Sequence, residues 1–134
     1  MTRQTTSKPS TDMADPPLDH RLVPAGRVKG SAIYNLACER LGRVKDIALD
    51  KATGEIAYVI VASGGFMGLG ETHRQLPWSA LTYDTRLRGY VVAVAEALRL
   101  APKLDVTELS GWDDTRVRED LIAYYGPYGA RPYW

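Results

Sequence analysis

The segment most informative about the fold is Leu41-Gly42-Arg43-Val44-Lys45-Asp46-Ile47-Ala48-Leu49-Asp50. Its apolar residues change phase, since Val44 lies three positions before Ile47, and Ile47 lies two before Leu49. Side chains alternate between the two faces of a strand, so an odd spacing needs one extra residue to keep apolar groups on one face. The stretch therefore predicts a long β-strand with a β-bulge near Lys45-Asp46.

The segments on either side of this strand extend the β pattern. Residues 51–54 predict a tight hairpin in which Gly54 supplies the positive φ. Residues 56–63 are almost entirely apolar, which predicts a central strand buried on both faces. Six short strands separated by turns favour a small closed β-barrel, because closure removes exposed sheet edges. The predicted strands are residues 32–34, 41–50, 56–63, 72–76, 81–83 and 90–94.

Helical patterns come only near the C-terminal end. Residues 95–100 predict a short helix that stops near Pro102. Residues 113–125 predict a longer helix, in which Val117, Leu121 and Tyr124 recur at helical spacing. The fold class predicted from these patterns is mainly β, a strongly bent six-stranded barrel with short C-terminal helices.

The amino-acid composition divides the chain into three segments. Residues 1–22 are rich in Thr, Ser, Pro and Asp and predict a flexible arm, with Leu22 and Val23 available to dock it onto the domain. Residues 23–104 form the predicted barrel domain. Residues 105–134 form the predicted C-terminal helix and aromatic tail.

Charge and cysteine content limit the partners and the compartment. The formal net charge is +1, which favours neither nucleic acid nor an acidic membrane as a partner. Cys38 is the single cysteine, so the chain has no intrachain disulfide and suits a reducing compartment. The N-terminus shows no secretory apolar segment, and the longest apolar run, residues 56–62, is too short to span a bilayer. We therefore expect a cytoplasmic protein without a membrane span.

The core resembles a known family, the PRC-barrel domains. Residues 41–50 resemble the second strand of these domains. Gly64-Gly65-Phe66-Met67-Gly68-Leu69-Gly70-Glu71 and Leu76-Pro77-Trp78-Ser79-Ala80-Leu81 resemble the later blocks, in the same order and with the same spacing. The resemblance covers roughly residues 27–104. The ending Tyr133-Trp134 is similar to the tails of some bacterial stand-alone members.

The resemblance implies a small barrel that packs on other macromolecules without a catalytic constellation. Such barrels occur in the cytoplasmic part of the photosynthetic reaction centre H subunit and in the C-terminal half of a ribosome-maturation factor. The H subunit also has a transmembrane helix, and the maturation factor has a β domain ahead of its barrel. This sequence resembles neither of these two parts. We therefore transfer the fold and the adaptor role, and neither specific function.

Two apolar segments are candidate interaction sites. Phe66, Met67 and Leu69 lie on the tip of a Gly-rich hairpin, where they either contact a partner or second copy or pack back on the barrel. The tail carries a cluster of aromatic residues that either folds over a groove of its own barrel or of a neighbouring subunit, or binds a partner. These tail residues are Tyr124, Tyr125, Tyr128, Tyr133 and Trp134.

No catalytic, cofactor or metal site is predicted. His20 and His73 are the only histidines, whereas a zinc site needs three or four ligands in local pairs. Cys38 or Ser79 could be combined with His73, but their flanking residues do not resemble those of a catalytic nucleophile.

Three functional hypotheses remain at this point. The leading one is a non-catalytic protein-interaction or assembly module that self-associates, most simply as a homodimer. The second is an RNA-processing or ribosome-associated factor, and its support is the family resemblance. The third is a barrel that binds a small ligand in its interior.

Overall fold

A computed structural model describes residues 21–65, 70–104 and 114–132. The predicted arm up to residue 20, the hairpin tip at 66–69, the segment 105–113 and the last two residues lie outside the described part. The elements are α1 (Ala25–Val28), β1 (Ala32–Tyr34), β2 (Arg40–Leu49), β3 (Ile56–Ser63), β4 (Thr72–Pro77), β5 (Leu81–Asp84), β6 (Gly89–Val92), α2 (Ala95–Leu100) and α3 (Asp114–Tyr125).

The six strands form one curled sheet, a half-barrel, which confirms the mainly β fold. Their order is β4-β3-β2-β1-β6-β5, with β1 and β6 parallel and the other neighbours antiparallel. The expected closure of the hydrogen-bond ladder is not observed among the described residues, because β4 and β5 are the two edges. Pro77, which has no N–H, ends β4, and the 3₁₀ turn Trp78–Ala80 redirects the chain into β5.

The predicted bulge in β2 is confirmed. Val44 pairs with Val61 and Asp46 with Ile60, so Lys45 is the extra residue. The bulge keeps Val44 in the core at 1% exposure.

The prediction that Leu49 shares the buried face is wrong. A second irregularity separates Ala48 from Leu49, and Leu49 is 52% exposed. The extra shift at the end of the strand turns this side chain outward.

The core lies between the curled sheet and the C-terminal helices. Residues 57–62 of β3 are all buried, which confirms the prediction of a central strand. Each fully buried Val, Leu or Ile contributes about 1.5–3 kcal/mol to the free energy of unfolding. The side chains that fill the sheet interior at 0% or 1% exposure include Ile33, Val44, Val59, Leu76 and Val92.

Gly42 allows β2 and β3 to approach closely. A Cβ atom at this position would lie 2.3 Å from the main-chain oxygen of Ala62. No side chain fits there without displacing a strand, which explains why residue 42 is a glycine.

The N-terminal anchor differs from the expected one. Leu22 is 96% exposed and Val23 is 50% exposed, so the prediction that they dock is wrong. Val28 of α1 is buried instead. A helix of four residues is too short to produce a periodic pattern in the sequence.

Candidate interaction groove

The outer edge of β4 is covered by the C-terminal part of the chain. The main-chain N–H of Leu104 donates to the carbonyl oxygen of His73 at 2.7 Å, and the Tyr125 hydroxyl donates to that of Gln75 at 2.7 Å. His73 and Gln75 are two residues apart, so their carbonyls point to the same side of the strand. Arg74 adds a hydrogen bond of 3.0 Å from Nε to the carbonyl of Ala101. This edge is therefore closed to another strand.

Two of the predicted tail residues belong to this covering layer. Tyr125 is 1% exposed, and burial raises the pKa of its hydroxyl. Tyr124 is half-buried and donates its hydroxyl hydrogen to the carbonyl of Ala97 at 2.6 Å. The two rings meet edge to face at a centroid distance of 4.8 Å. The described part of the tail thus lies against its own barrel.

The outer edge of β5 is different, because within the described residues this strand pairs with β6 alone. An open groove of about 460 Å³ is lined by this strand and its neighbour, because Val91 of β6 and the following Ala93 and Val94 contribute to it together with residues of β5. Three exposed apolar side chains stand around the groove: Leu36 at 72% exposure, Tyr83 at 48% and Tyr128 at 48%. Thr82 and Asp84 of β5 complete this side of the lining.

Leu36 is held in place by a rigid turn between β1 and β2. The side-chain oxygen of Asn35 accepts hydrogen bonds from the N–H groups of Ala37 and Glu39, each at 2.9 Å. Cys38 takes a left-handed conformation with φ 65° to close the turn. The turn therefore fixes an apolar side chain in solvent rather than burying it.

Tyr83 is supported by an aromatic chain that runs into the core. Its ring meets Tyr90 edge to face at 5.2 Å, and Tyr90 meets Trp78 at 5.3 Å. Such contacts are worth about 0.5–1.5 kcal/mol each beyond area burial. They hold the exposed ring in one orientation.

Tyr128 is placed by the last turn of the chain. It ends the 3₁₀ turn Gly126–Tyr128, and Gly129 follows in the left-handed region at φ 83°. The Ser79 hydroxyl donates to the carbonyl of Arg131 at 2.7 Å, which ties this turn to the corner before β5.

The candidate residues therefore divide into three groups. Tyr128 lines the groove, whereas Tyr124 and Tyr125 lie on the covered side near α2 and β4. The sequence analysis did not identify Leu36 and Tyr83. Leu36 could have been noticed as an apolar residue inside a polar turn, but Tyr83 needs the strand order. Phe66, Met67, Leu69, Tyr133 and Trp134 lie outside the described residues.

A separate ionic cluster surrounds Glu71, whose side chain is 8% exposed. Its carboxylate accepts from Arg43 at 2.5 Å, lies 3.3 Å from His73 Nε2 and lies 4.0 Å from Lys45 Nζ. The hydrogen bond from Arg43 holds the pKa of Glu71 below its usual value, although burial acts in the opposite direction. The cluster ties β2 to β4 across β3.

This cluster gives His73 a partner other than the serine considered above. His73 contacts Glu71, while the Ser79 hydroxyl donates to Arg131. Among the residues that the structure describes, no group of three or more His, Cys, Asp or Glu side chains is placed to hold a metal ion.

The described residues thus build a curled six-stranded sheet with an exposed aromatic groove that is lined by β5 and β6. The family model of the PRC-barrel domain matches residues 22–99, more than half of the chain, and the chain belongs to this family. PRC-barrel domains are protein-interaction modules and are generally non-catalytic. No curated protein matches the sequence. Within the described ranges, no helix is long and apolar enough to cross a lipid bilayer.

Proposed function

We propose that this chain is a non-catalytic protein-interaction module that binds its partner in the groove beside β5. The observation that carries the proposal is the contrast between the two sheet edges. The chain covers β4 with its own C-terminal part, whereas among the described residues the outer edge of β5 pairs with no other strand. β5 also lines the groove that carries exposed Leu36, Tyr83 and Tyr128.

The open edge and the groove supply two complementary kinds of contact. The outer N–H and C=O groups of an edge strand can bind an extended segment as an added strand. Aromatic side chains beside it act as anchors, and truncating such an anchor typically costs 2 kcal/mol or more of binding free energy. The proposal therefore expects the affinity to depend on Tyr83 and Tyr128 together with β5.

The proposal also includes a cytoplasmic location. Cys38 is exposed and unpaired with another cysteine. An exposed free thiol persists in a reducing compartment and is readily oxidised elsewhere.

The test is quantitative recovery of partners from the cells that produce the protein. The full chain carries an affinity tag, and Tyr83→Lys is compared with Leu49→Lys, which places the same charge on another exposed apolar site. We expect the partner to be lost with Tyr83→Lys and retained with Leu49→Lys, with both variants melting near the wild-type temperature. Equal recovery with both variants would contradict the proposal.

A further inference from the structure

We infer that the partner in the groove is a second copy of this chain, with β5 pairing antiparallel to β5 of the other copy about a two-fold axis. The inference rests on the proposed function, because it uses the same groove. It joins two six-stranded sheets into one continuous sheet.

The charges at the two ends of β5 support self-pairing. Asp84 ends the strand, and its carboxylate is fixed by hydrogen bonds from the N–H groups of Arg86 at 2.8 Å and Leu87 at 3.0 Å. Exposed Arg131 lies at the other end, where its carbonyl accepts from Ser79. Neither Asp84 nor Arg131 forms an ion pair within the described part of the chain.

An antiparallel arrangement brings these ends together. The C-terminal end of each β5 then faces the N-terminal end of the other, so Asp84 of one copy approaches Arg131 of its partner. A two-fold interface requires a surface that complements itself in this way. The two-fold axis produces this contact twice, once at each end of the paired strands, and the two contacts fix the orientation of the strands.

The apolar side chains and the strand itself fit the same arrangement. Tyr83 lies on the edge strand itself, and Leu36 and Tyr128 line the same groove, so pairing of the two β5 strands brings the two grooves close together. Edge strands that must stay alone are protected by short length, charged side chains, Pro or a bulge. Leu81-Thr82-Tyr83-Asp84 is short and ends in a charge, but it contains no Lys or Pro, and its pairing with β6 has no bulge.

The first experiment is sedimentation equilibrium of the purified full chain. We expect a reversible monomer–dimer equilibrium between about 1 µM and about 1 mM. Tyr83→Lys should raise the dimer Kd at least about tenfold, because a charged side chain then replaces an aromatic contact at the paired edge. The control Leu49→Lys should leave Kd unchanged, and Arg131→Glu should weaken the dimer by placing like charges at both ends.

The second experiment traps the pairing covalently. In a Cys38→Ser background, single cysteines replace Thr82 or Tyr83, the two central residues of β5. A two-fold axis places one central residue opposite its own copy, so oxidation should yield a covalent dimer at one of them and none with Leu49→Cys.

Two outcomes would overturn the inference. A wild-type chain that stays monomeric throughout and traps no dimer would leave the groove to another protein, which the recovery experiment detects independently. The second outcome is a monomeric wild type together with a variant, ending at Pro132, that forms a dimer. That result would mean that the last two residues of the chain occupy the groove in the wild type.

Discussion

The phenolic hydroxyl of Tyr125 donates a hydrogen bond of 2.7 Å to the main-chain carbonyl oxygen of Gln75, fifty positions earlier in the chain. This bond, together with the one from the N–H of Leu104 to His73, satisfies two carbonyls on the outer edge of β4. A helix that follows the barrel domain thereby closes one edge of the sheet. Within the described ranges the outer edge of β4 is covered, whereas β5 pairs with β6 alone. This contrast supports the proposal that a strand is added at β5.

Removing the Tyr125 hydroxyl should destabilise the fold without creating a large cavity. Tyr125→Phe keeps the buried ring but leaves the Gln75 carbonyl without this donor, so we expect a loss of about 1–2 kcal/mol in the free energy of unfolding. Urea denaturation measures it. The control Tyr128→Phe, at a site 48% exposed, should change stability by less than about 0.5 kcal/mol. Equal effects of the two substitutions would contradict the covered-edge description.

Alkaline pH should destabilise the protein through the same residue. Burial raises the pKa of Tyr125 above its ordinary value of 10.0, so the unfolded chain releases this proton more readily than the folded chain does. Stability is therefore fully present below pH 10.0 and declines as the pH rises above it. Melting temperatures on both sides of this pH should show a smaller decline for Tyr125→Phe. The remaining decline belongs to Tyr90 and Tyr124, whose pKa values burial also raises.

Acid should weaken the contact between β2 and β4. The Arg43 hydrogen bond lowers the pKa of Glu71 from 4.5, so the folded state favours the carboxylate. The stability from this group is fully present above pH 4.5 and is lost as the pH falls through the lower folded-state value. Glu71→Gln should be less stable than wild type near neutral pH and should converge with it in acid. The control Glu119→Gln, on the exposed side of α3, should track wild type throughout; a constant gap for Glu71→Gln would contradict this role.

The close approach of β2 and β3 can be tested at Gly42. Gly42→Ala places a methyl group against the Ala62 carbonyl and should cost at least about 2 kcal/mol of stability. Gly26→Ala in α1 has no atom within 4 Å of the added Cβ. It should leave stability unchanged or raise it by up to about 1 kcal/mol, because Ala favours a helix over Gly. Two equally mild substitutions, measured by chemical denaturation, would refute the tight strand contact.

Local patterns in the sequence predicted the strands and their irregularity well. The odd spacing from Val44 to Ile47 located the bulge at Lys45, because face alternation is a local rule. The same rule failed for Leu49 because a second irregularity lies at the end of the strand. No apolar residue follows it in the strand, so the spacing of apolar residues contains no sign of the shift. The apolar character of residues 56–63 was enough to predict the central strand.

The groove could be predicted only in part. Tyr128 was identified by aromatic composition, but composition does not distinguish it from Tyr125, which the fold buries. Tyr83 becomes informative only when β5 is known to be an edge, and strand order depends on contacts between distant segments. Leu36 needed the Asn35 turn, whose hydrogen bonds hold it outward.

We propose the groove lined by β5 as the binding face of this PRC-barrel protein. The most direct test replaces Leu36 with a photo-crosslinking amino acid in the full chain, with Leu49 replaced in the same way as the matched exposed control. Irradiation takes place in the producing cells, and the adducts are identified by mass spectrometry. We expect a discrete protein adduct, with a second copy or another protein, at position 36 and none at position 49. Absence of an adduct at position 36, or the same adduct at both positions, would contradict it.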